Sequence, residues 1–249
     1  AQTPIQRRIQ IERARLSSSD TEERRDAVQR LGAMARPESS RAASVALSDS
    51  SPSVRVAAAR AVLSLGSTDA ATLLLPLLRD KDEFVRREGA FALGLTRSRT
   101  ATQALAVALV NDKQPSVRGA AAVALGQIAD PASVPVLSET LGRRIRASGV
   151  FARILRRRTE EDEFVRRSAA VALGRIGSRE GVPALVVALS NARAGDDVRR
   201  EAARALGLIG DPSAVPALRA ALTAPDPHLS RAAFEALRRL DPESATRPA

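Results

Sequence analysis

Aromatic residues are nearly missing from this chain: tryptophan and tyrosine do not occur, and phenylalanine occurs five times in 249 residues. With 44% hydrophobic residues all the same, the interior must be built of Ala, Leu and Val, which suits closely spaced helices better than a bulky globular core. Cysteine is absent, which excludes a disulfide framework and a thiolate metal site. Histidine occurs once, as His228. It precedes the last predicted helix, so it cannot be half of a His-Glu metal pair, and a Ser-His-Asp triad would rest on it alone. No glycine-rich phosphate loop occurs, and no run approaches the ~18 apolar residues that span a bilayer. These absences predict a chain without catalytic, cofactor or metal residues. Lysine is reduced to Lys81 and Lys113, so the net charge of +11 is arginine charge. An arginine-rich surface points to anionic partners such as acidic protein segments, nucleic acid or lipid head groups; a GC-rich genome would give the same bias. The Ala1-Gln2 start matches an end left by signal peptidase or a trimmed terminus, and leans the expected location towards export to the periplasm over the cytoplasm.

What the chain has is a repeat. With Val198 as zero point, counterparts stand at Glu23, Val54, Val85, Val117, Val165 and Leu229, at steps of 31, 31, 32, 48, 33 and 31. One after the zero point come Arg24, Arg55, Arg86, Arg118, Arg166, Arg199 and Ser230; four after it every residue is Ala or Gly; eight after it stand Leu31, Val62, Leu93, Leu125, Leu173, Leu206 and Leu237. Apolar or small residues at 0, +4, +7, +8 and +11 share one side of a helix. Asp20, Ser51, Asp82, Asp162 and Asp226 stand where an N-cap is needed, and Ser19-x-x-Glu22 has the form of a capping box. Pro52, Pro115 and Pro227 follow at the first helical position. A second signal after each helix, as in Asp130-Pro131 and Asp211-Pro212, opens another. Each period is therefore two antiparallel helices, which must stack on their neighbours to bury an apolar face. The glycines at +9 (Gly32, Gly94, Gly126, Gly174, Gly207) predict close approach of a neighbour, since each costs ~1 kcal/mol of helix propensity.

The segments Val117-Arg-Gly-Ala-Ala-Ala-Val-Ala-Leu-Gly-Gln-Ile128 and Val165-Arg-Arg-Ser-Ala-Ala-Val-Ala-Leu-Gly-Arg-Ile-Gly177 resemble the HEAT-repeat family, in particular its short bacterial HEAT-like (PBS-lyase-type) form. The resemblance covers residues 20 to about 240. It implies an all-α, right-handed α-solenoid of about seven HEAT-like helical hairpins. Residues 1–249 then form one solenoid, with a capping helix in 1–18, a basic insertion at 142–159 within the fifth repeat, and a polar tail at 241–249. The resemblance also implies that the second helix of each pair lines the concave side, and that the +1 arginines pair with turn aspartates such as Asp49, Asp80 and Asp112. Relatives include scaffolds, bilin-lyase-type chaperones, DNA-repair proteins and metal-dependent hydroxylases; the last need several His-Glu pairs, which this chain lacks.

On that helix, +2 and +6 point away from the buried stripe. They predict a concave partner-binding face of Arg60, Arg87, Phe91, Leu95, Val123, Arg167, Val171, Arg200 and Arg204, apolar in the middle and ringed by arginines. The alternative is that Phe91, Val123 and Val171 are covered by neighbouring helices. Phe84 and Phe164, in the twice-occurring Asp-Glu-Phe-Val-Arg-Arg, are expected to pack at the turns between helices. The insertion adds Arg143, Arg144, Arg146, Phe151, Arg153, Arg156, Arg157 and Arg158, with Phe151, Ile154 and Leu155 at helical spacing. It reads as a solvated loop, a docking element for an acidic partner, or a membrane-surface helix; Arg156–Arg158 could also pair with Glu160–Glu163. The expected function is a non-catalytic protein-protein interaction scaffold or accessory subunit of a larger assembly, its partners carrying acidic or amphipathic segments. Nucleic-acid backbone binding is the alternative, weakened by the lack of Tyr and Trp stacking platforms, and a bilin-lyase-type chaperone is the third.

Overall fold

The structure, a computed structural model, describes residues 2–146 and 158–242, without the side chains of 145, 146, 158 and 159. Among the described residues the α-helices come in seven pairs. They are α1 (Pro4–Arg15) with α2 (Thr21–Ala33), α3 (Pro37–Ala43) with α4 (Pro52–Ala61), α5 (Ser67–Leu74) with α6 (Glu83–Thr96), and α7 (Thr102–Asn111) with α8 (Pro115–Ile128). There follow α9 (Val134–Gly142) with α10 (Glu163–Ile176), α11 (Val182–Ser190) with α12 (Asp196–Ile209), and α13 (Val215–Ala221) with α14 (Pro227–Leu240). The even-numbered helices carry the zero-point columns.

Starts follow the local chemistry. The carboxylates of Asp20, Asp82, Asp162 and Asp226 accept from backbone amides two residues on, satisfying donors that a helix leaves free. Ser51, Gln114 and Gly195 stand at the same place without a side-chain cap bond. The capping box expected at Ser19–Glu22 is not formed, because Asp20 is the cap residue; a box occurs instead at Thr3, whose hydroxyl accepts from the Gln6 amide while Gln6 accepts from the Thr3 amide.

The stack is a solenoid because the even helices lie closer together than the odd ones. The +9 glycines explain how. A Cβ on Gly94 would stand 2.7 Å from Ala124 Cα, on Gly126 2.7 Å from Ala172 Cα, and on Gly174 2.9 Å from Ala205 Cα. Each glycine thus receives the +7 alanine of the next repeat. Even helices run tightly along one another while successive odd helices touch lightly; the stack is shorter on its even side, which is therefore concave. Repeat two breaks the column: Leu63 stands where glycine is needed, and α4 stops at Ala61. The largest fully covered side chains are all leucines, among them Leu93, Leu125, Leu173 and Leu206 of the +8 column, each stabilising by ~1.5–3 kcal/mol through burial.

A ladder of charges ties the turns. Arg24 donates from Nε to Asp49 (2.7 Å), Arg55 to Asp80 (2.8 Å) and Arg86 to Asp112 (2.7 Å). The partner is always the aspartate of the following repeat, while Nη1 holds carbonyls of the arginine's own turn, as with Asp49 and Ser50 for Arg55. At the fourth rung the aspartate is replaced by Glu161, which lies at the far foot of the insertion and receives Arg118.

The insertion leaves and re-enters the stack as an antiparallel ribbon, β1 (Arg144–Arg146) paired with β2 (Arg158–Glu160) in the register Arg144 to Glu160 and Arg146 to Arg158. The expected helix around Phe151, Ile154 and Leu155 lies outside the described residues, as do Arg153, Arg156 and Arg157 and the tail from residue 243.

Candidate functional site

The concave surface is drawn by positions −1, +2, +6 and +10 of the even helices. At +6, Gln29, Arg60 and Arg204 are exposed, and Phe91, Val123 and Val171 are half-buried. Phe91 packs onto the core, so the three apolar residues expected to be an open floor are partly covered by the helices beside them. Leu95 and Leu208, at +10, are more open, at 58% and 59% exposed.

Phe84 and Phe164 lie in the first turns of α6 and α10 but are not buried in the turns as the sequence suggested. They stand on the concave surface, 53% and 38% exposed. Phe164 lies over Gly119 of the preceding repeat, where a Cβ would come within 2.1 Å of its ring; glycine at this +2 position is what seats the ring. Both rings carry an arginine one turn on, Arg87 with its guanidinium carbon 5.1 Å from the Phe84 centroid and Arg167 5.8 Å from that of Phe164, within cation–π range. The shared hexapeptide thus builds the same arginine-on-ring knob twice.

The concave arginines are largely engaged. Arg60 grips Glu88 through Nε and Nη2; that hydrogen bond is what raises the Arg60 pKa. Arg200 bonds Asp226 and Asp197, Arg204 bonds Glu201, and Arg167 stands 3.7 Å from Asp197. Asp226 is pulled down to about 2, chiefly by the hydrogen bond from Arg200.

A cavity of about 880 Å³ opens on this face over α2, α4 and the start of α6. Val56, Ala57 and Ala61 form its floor, Phe84 a wall, and Arg25 and Arg60 its basic rim. Arg60 lines it, with Arg25 and Val56 of the outward +2 column and Gln29 of the +6 column; Phe84, expected in a turn, is the lining residue that was missed. The signal was present in the −1 and +2 columns, but where helices separate far enough to leave a cavity is not written in a column.

The insertion's basic set divides. Arg143 is structural: Nη1 and Nη2 donate to the carbonyls of Leu109 and Val110 at the end of α7, and Nη1 lies 3.7 Å from Glu161. Arg144 stands exposed on the ribbon; nothing is described of the side chains of Arg146 and Arg158. The acidic run pairs with the stack: Glu160 accepts from Arg166 and Glu161 from Arg118; its expected pairing with Arg156–Arg158 lies outside the described side chains. Among the described residues no group of three or more His, Asp or Glu is placed to hold a metal ion, and no helix is long and apolar enough to cross a membrane.

Comparison with known proteins agrees with this architecture. The family model of HEAT repeats matches residues 11–92, 75–152 and 188–248, and that of the PBS lyase HEAT-like repeat matches 165–191. No curated protein matches the chain. Among solved structures, the CpcE–CpcF complex of phycocyanin lyase from Nostoc sp. PCC7120 is 24% identical, with a TM-score of 0.55 over 93% of this chain and 86% of that one. YibA of Escherichia coli is 20% identical, with a TM-score of 0.62 over 94% and 81%. A designed armadillo repeat protein is 18% identical, with a TM-score of 0.51 over 94% and 100%. These likenesses are of fold. The matched repeats take in most of the described helices, and the chain belongs to the HEAT-repeat family.

Proposed function

We propose that this protein is a non-catalytic interaction scaffold or accessory subunit, which holds a partner protein along the concave side of its even helices. One observation carries the reading: this face sets open apolar groups, Phe84, Leu95 and Leu208, together with arginines stacked on its two rings, a pairing that the apolar groups open on the odd side, Val45, Val107 and Val187, do not have. Large apolar side chains left open on a surface otherwise rich in charge mark a contact for another protein. The nucleic-acid alternative is weakened by the pairing of the concave arginines, because Arg60, Arg167, Arg200 and Arg204 each have a carboxylate of this chain beside them. A duplex-binding face needs such charges free to displace counterions.

The test is a photo-crosslinking amino acid at Leu95, on the concave face, and at Leu73, which is exposed on α5 of the opposite side. Crosslinks to one co-purifying protein from Leu95 and none from Leu73 are expected. Crosslinks from Leu73 alone would overturn the assignment of the face, and a gel shift of duplex DNA that fades steeply with salt would favour nucleic acid.

A further inference from the structure

We infer that the cavity over α2, α4 and α6 is the seat for an acidic amphipathic segment of a partner protein, an assignment that rests on the scaffold reading and narrows it to one place and one chemistry. The sequence of the stack makes the seat local. The Gly-to-Ala contact that closes the other steps joins Gly32 to Ala61 and Gly94 to Ala124, but after α4 the column holds Leu63 and the helix has already ended. The cavity runs over the closed α2–α4 step, with Gly32 and Ala61 in its lining, and ends against Asp82 and Phe84 at the start of α6, across the step that lacks the contact.

Its lining states what it would accept. Val56, Ala57, Ala61 and the open ring of Phe84 offer an apolar bed with no donors. Asp82, the acidic residue of the lining, sits at the α6 cap with Oδ1 accepting from the amides of Phe84 and Val85, so the arginines outnumber it at the rim. The rim is cationic. Arg60 is 72% exposed and uses Nε and Nη2 on Glu88, which leaves Nη1 and the second Nη2 hydrogen for another acceptor. Arg25 holds Glu22 through Nη2, and its Nε is covered without a hydrogen-bond partner among the described residues. Arg87, on the Phe84 ring, adds a third positive charge beside the wall. A segment with apolar side chains at i and i+3 or i+4, flanked by Asp or Glu, matches this bed and rim. A basic segment would meet like charge, and a neutral one would leave the remaining N–H donors of Arg60 without an acceptor.

The test is selection of 16-residue random peptides displayed on phage against the whole protein, with binding of the winners measured by fluorescence anisotropy. Enriched peptides should carry paired apolar residues next to carboxylates. They should lose about tenfold or more in affinity on Phe84→Ser and on Arg60→Gln, a loss typical of central interface residues. Both substituted side chains are open to solvent, and unchanged circular dichroism shows that the variants fold; Arg60→Gln also removes the partner of Glu88, so its melting point is expected to fall somewhat without loss of helix. Winners that are basic, or that ignore both substitutions, would overturn the seat. If those winners depend instead on Arg167 and Leu208 at the other end of the concave face, the seat fails and the scaffold reading stands. If no peptide is enriched and no crosslink forms from Leu95, both fail. Competition by duplex DNA with no enriched peptide would assign the rim to phosphate.

Discussion

Glu161 receives Arg118 in a fork, Oε1 2.5 Å from Nη2 and Oε2 3.2 Å from Nε, with its side chain wholly shut off from solvent. The chain reaches it only after the insertion, and its amide closes the ribbon by donating to the carbonyl of Arg143 (2.9 Å). One carboxylate therefore completes the fourth rung and pins the far foot of the insertion. Removing it leaves the Arg118 guanidinium buried without a carboxylate, held only by the carbonyls of Asp112 and Lys113. Glu161→Ala should cost about 3–5 kcal/mol, read as a lower urea midpoint. Replacing Arg118 and Glu161 together by Met and Leu should cost much less. Equal losses in the two variants would show that the pair is not what stabilises this junction.

Close approach should outweigh helix propensity at Gly126. Alanine in an open helix gains ~1 kcal/mol over glycine, but here its Cβ would stand 2.7 Å from the backbone of Ala172. Gly126→Ala should therefore destabilise by about 1–3 kcal/mol. Gly66 precedes α5 with nothing within 4 Å of a Cβ, so Gly66→Ser should be neutral or gain a few tenths of a kcal/mol as a cap. Thermal melts of both variants check the contrast.

Acid should loosen the ladder within a definite window. Asp49 is held low first by the hydrogen bond from Arg24. For Asp80 and Asp112 burial pushes upward, and the bonds from Arg55 and Arg86 with those from backbone amides outweigh it. Asp226 lies at about 2. All four pKa values fall below the ~3.9 of an unfolded aspartate. Their contribution is thus complete above about pH 4 and is lost as pH falls through the folded values, towards pH 2. The melting temperature should drop over that interval, and less steeply in Asp112→Asn. A profile flat from pH 5 to pH 2 would contradict the linkage.

The fifth rung should be repairable. Asn191 accepts from the amide two residues on, as Asp49, Asp80 and Asp112 do, so it occupies the ladder aspartate's place with a neutral side chain. Arg166, which should reach it, turns Nη1 to Glu160 and leaves Nε covered without a partner among the described residues. Asn191→Asp should stabilise by about 1 kcal/mol, the worth of a typical hydrogen bond. The gain should vanish in an Arg166→Met background. A gain that persists there would place its origin elsewhere.

Local and periodic features were legible in the chain. The helix pairs follow from 3.6-residue periodicity and aspartate caps, and the glycine column correctly announced a near neighbour. The arginine ladder was expected with its aspartates, although not that each arginine reaches forward to the next repeat. The site was less legible. Arg60 was found because its column faces outward, while Phe84 was assigned to a turn and Arg143 to a docking surface. Phe84 shares the cavity with Val56 where Phe164 finds Gly119, and Arg143 is occupied because the end of α7 presents carbonyls to it. Both facts concern residues distant in sequence.

Composition and period, taken alone, determine a stack of paired helices with small residues between them, because burial and capping act within a few turns of chain. Which even helices close and which part, which arginines are already answered, and where Glu161 returns to complete a rung depend on distances between repeats. Only tertiary packing sets those distances, since a column of similar residues cannot say how far apart two of its members come to rest.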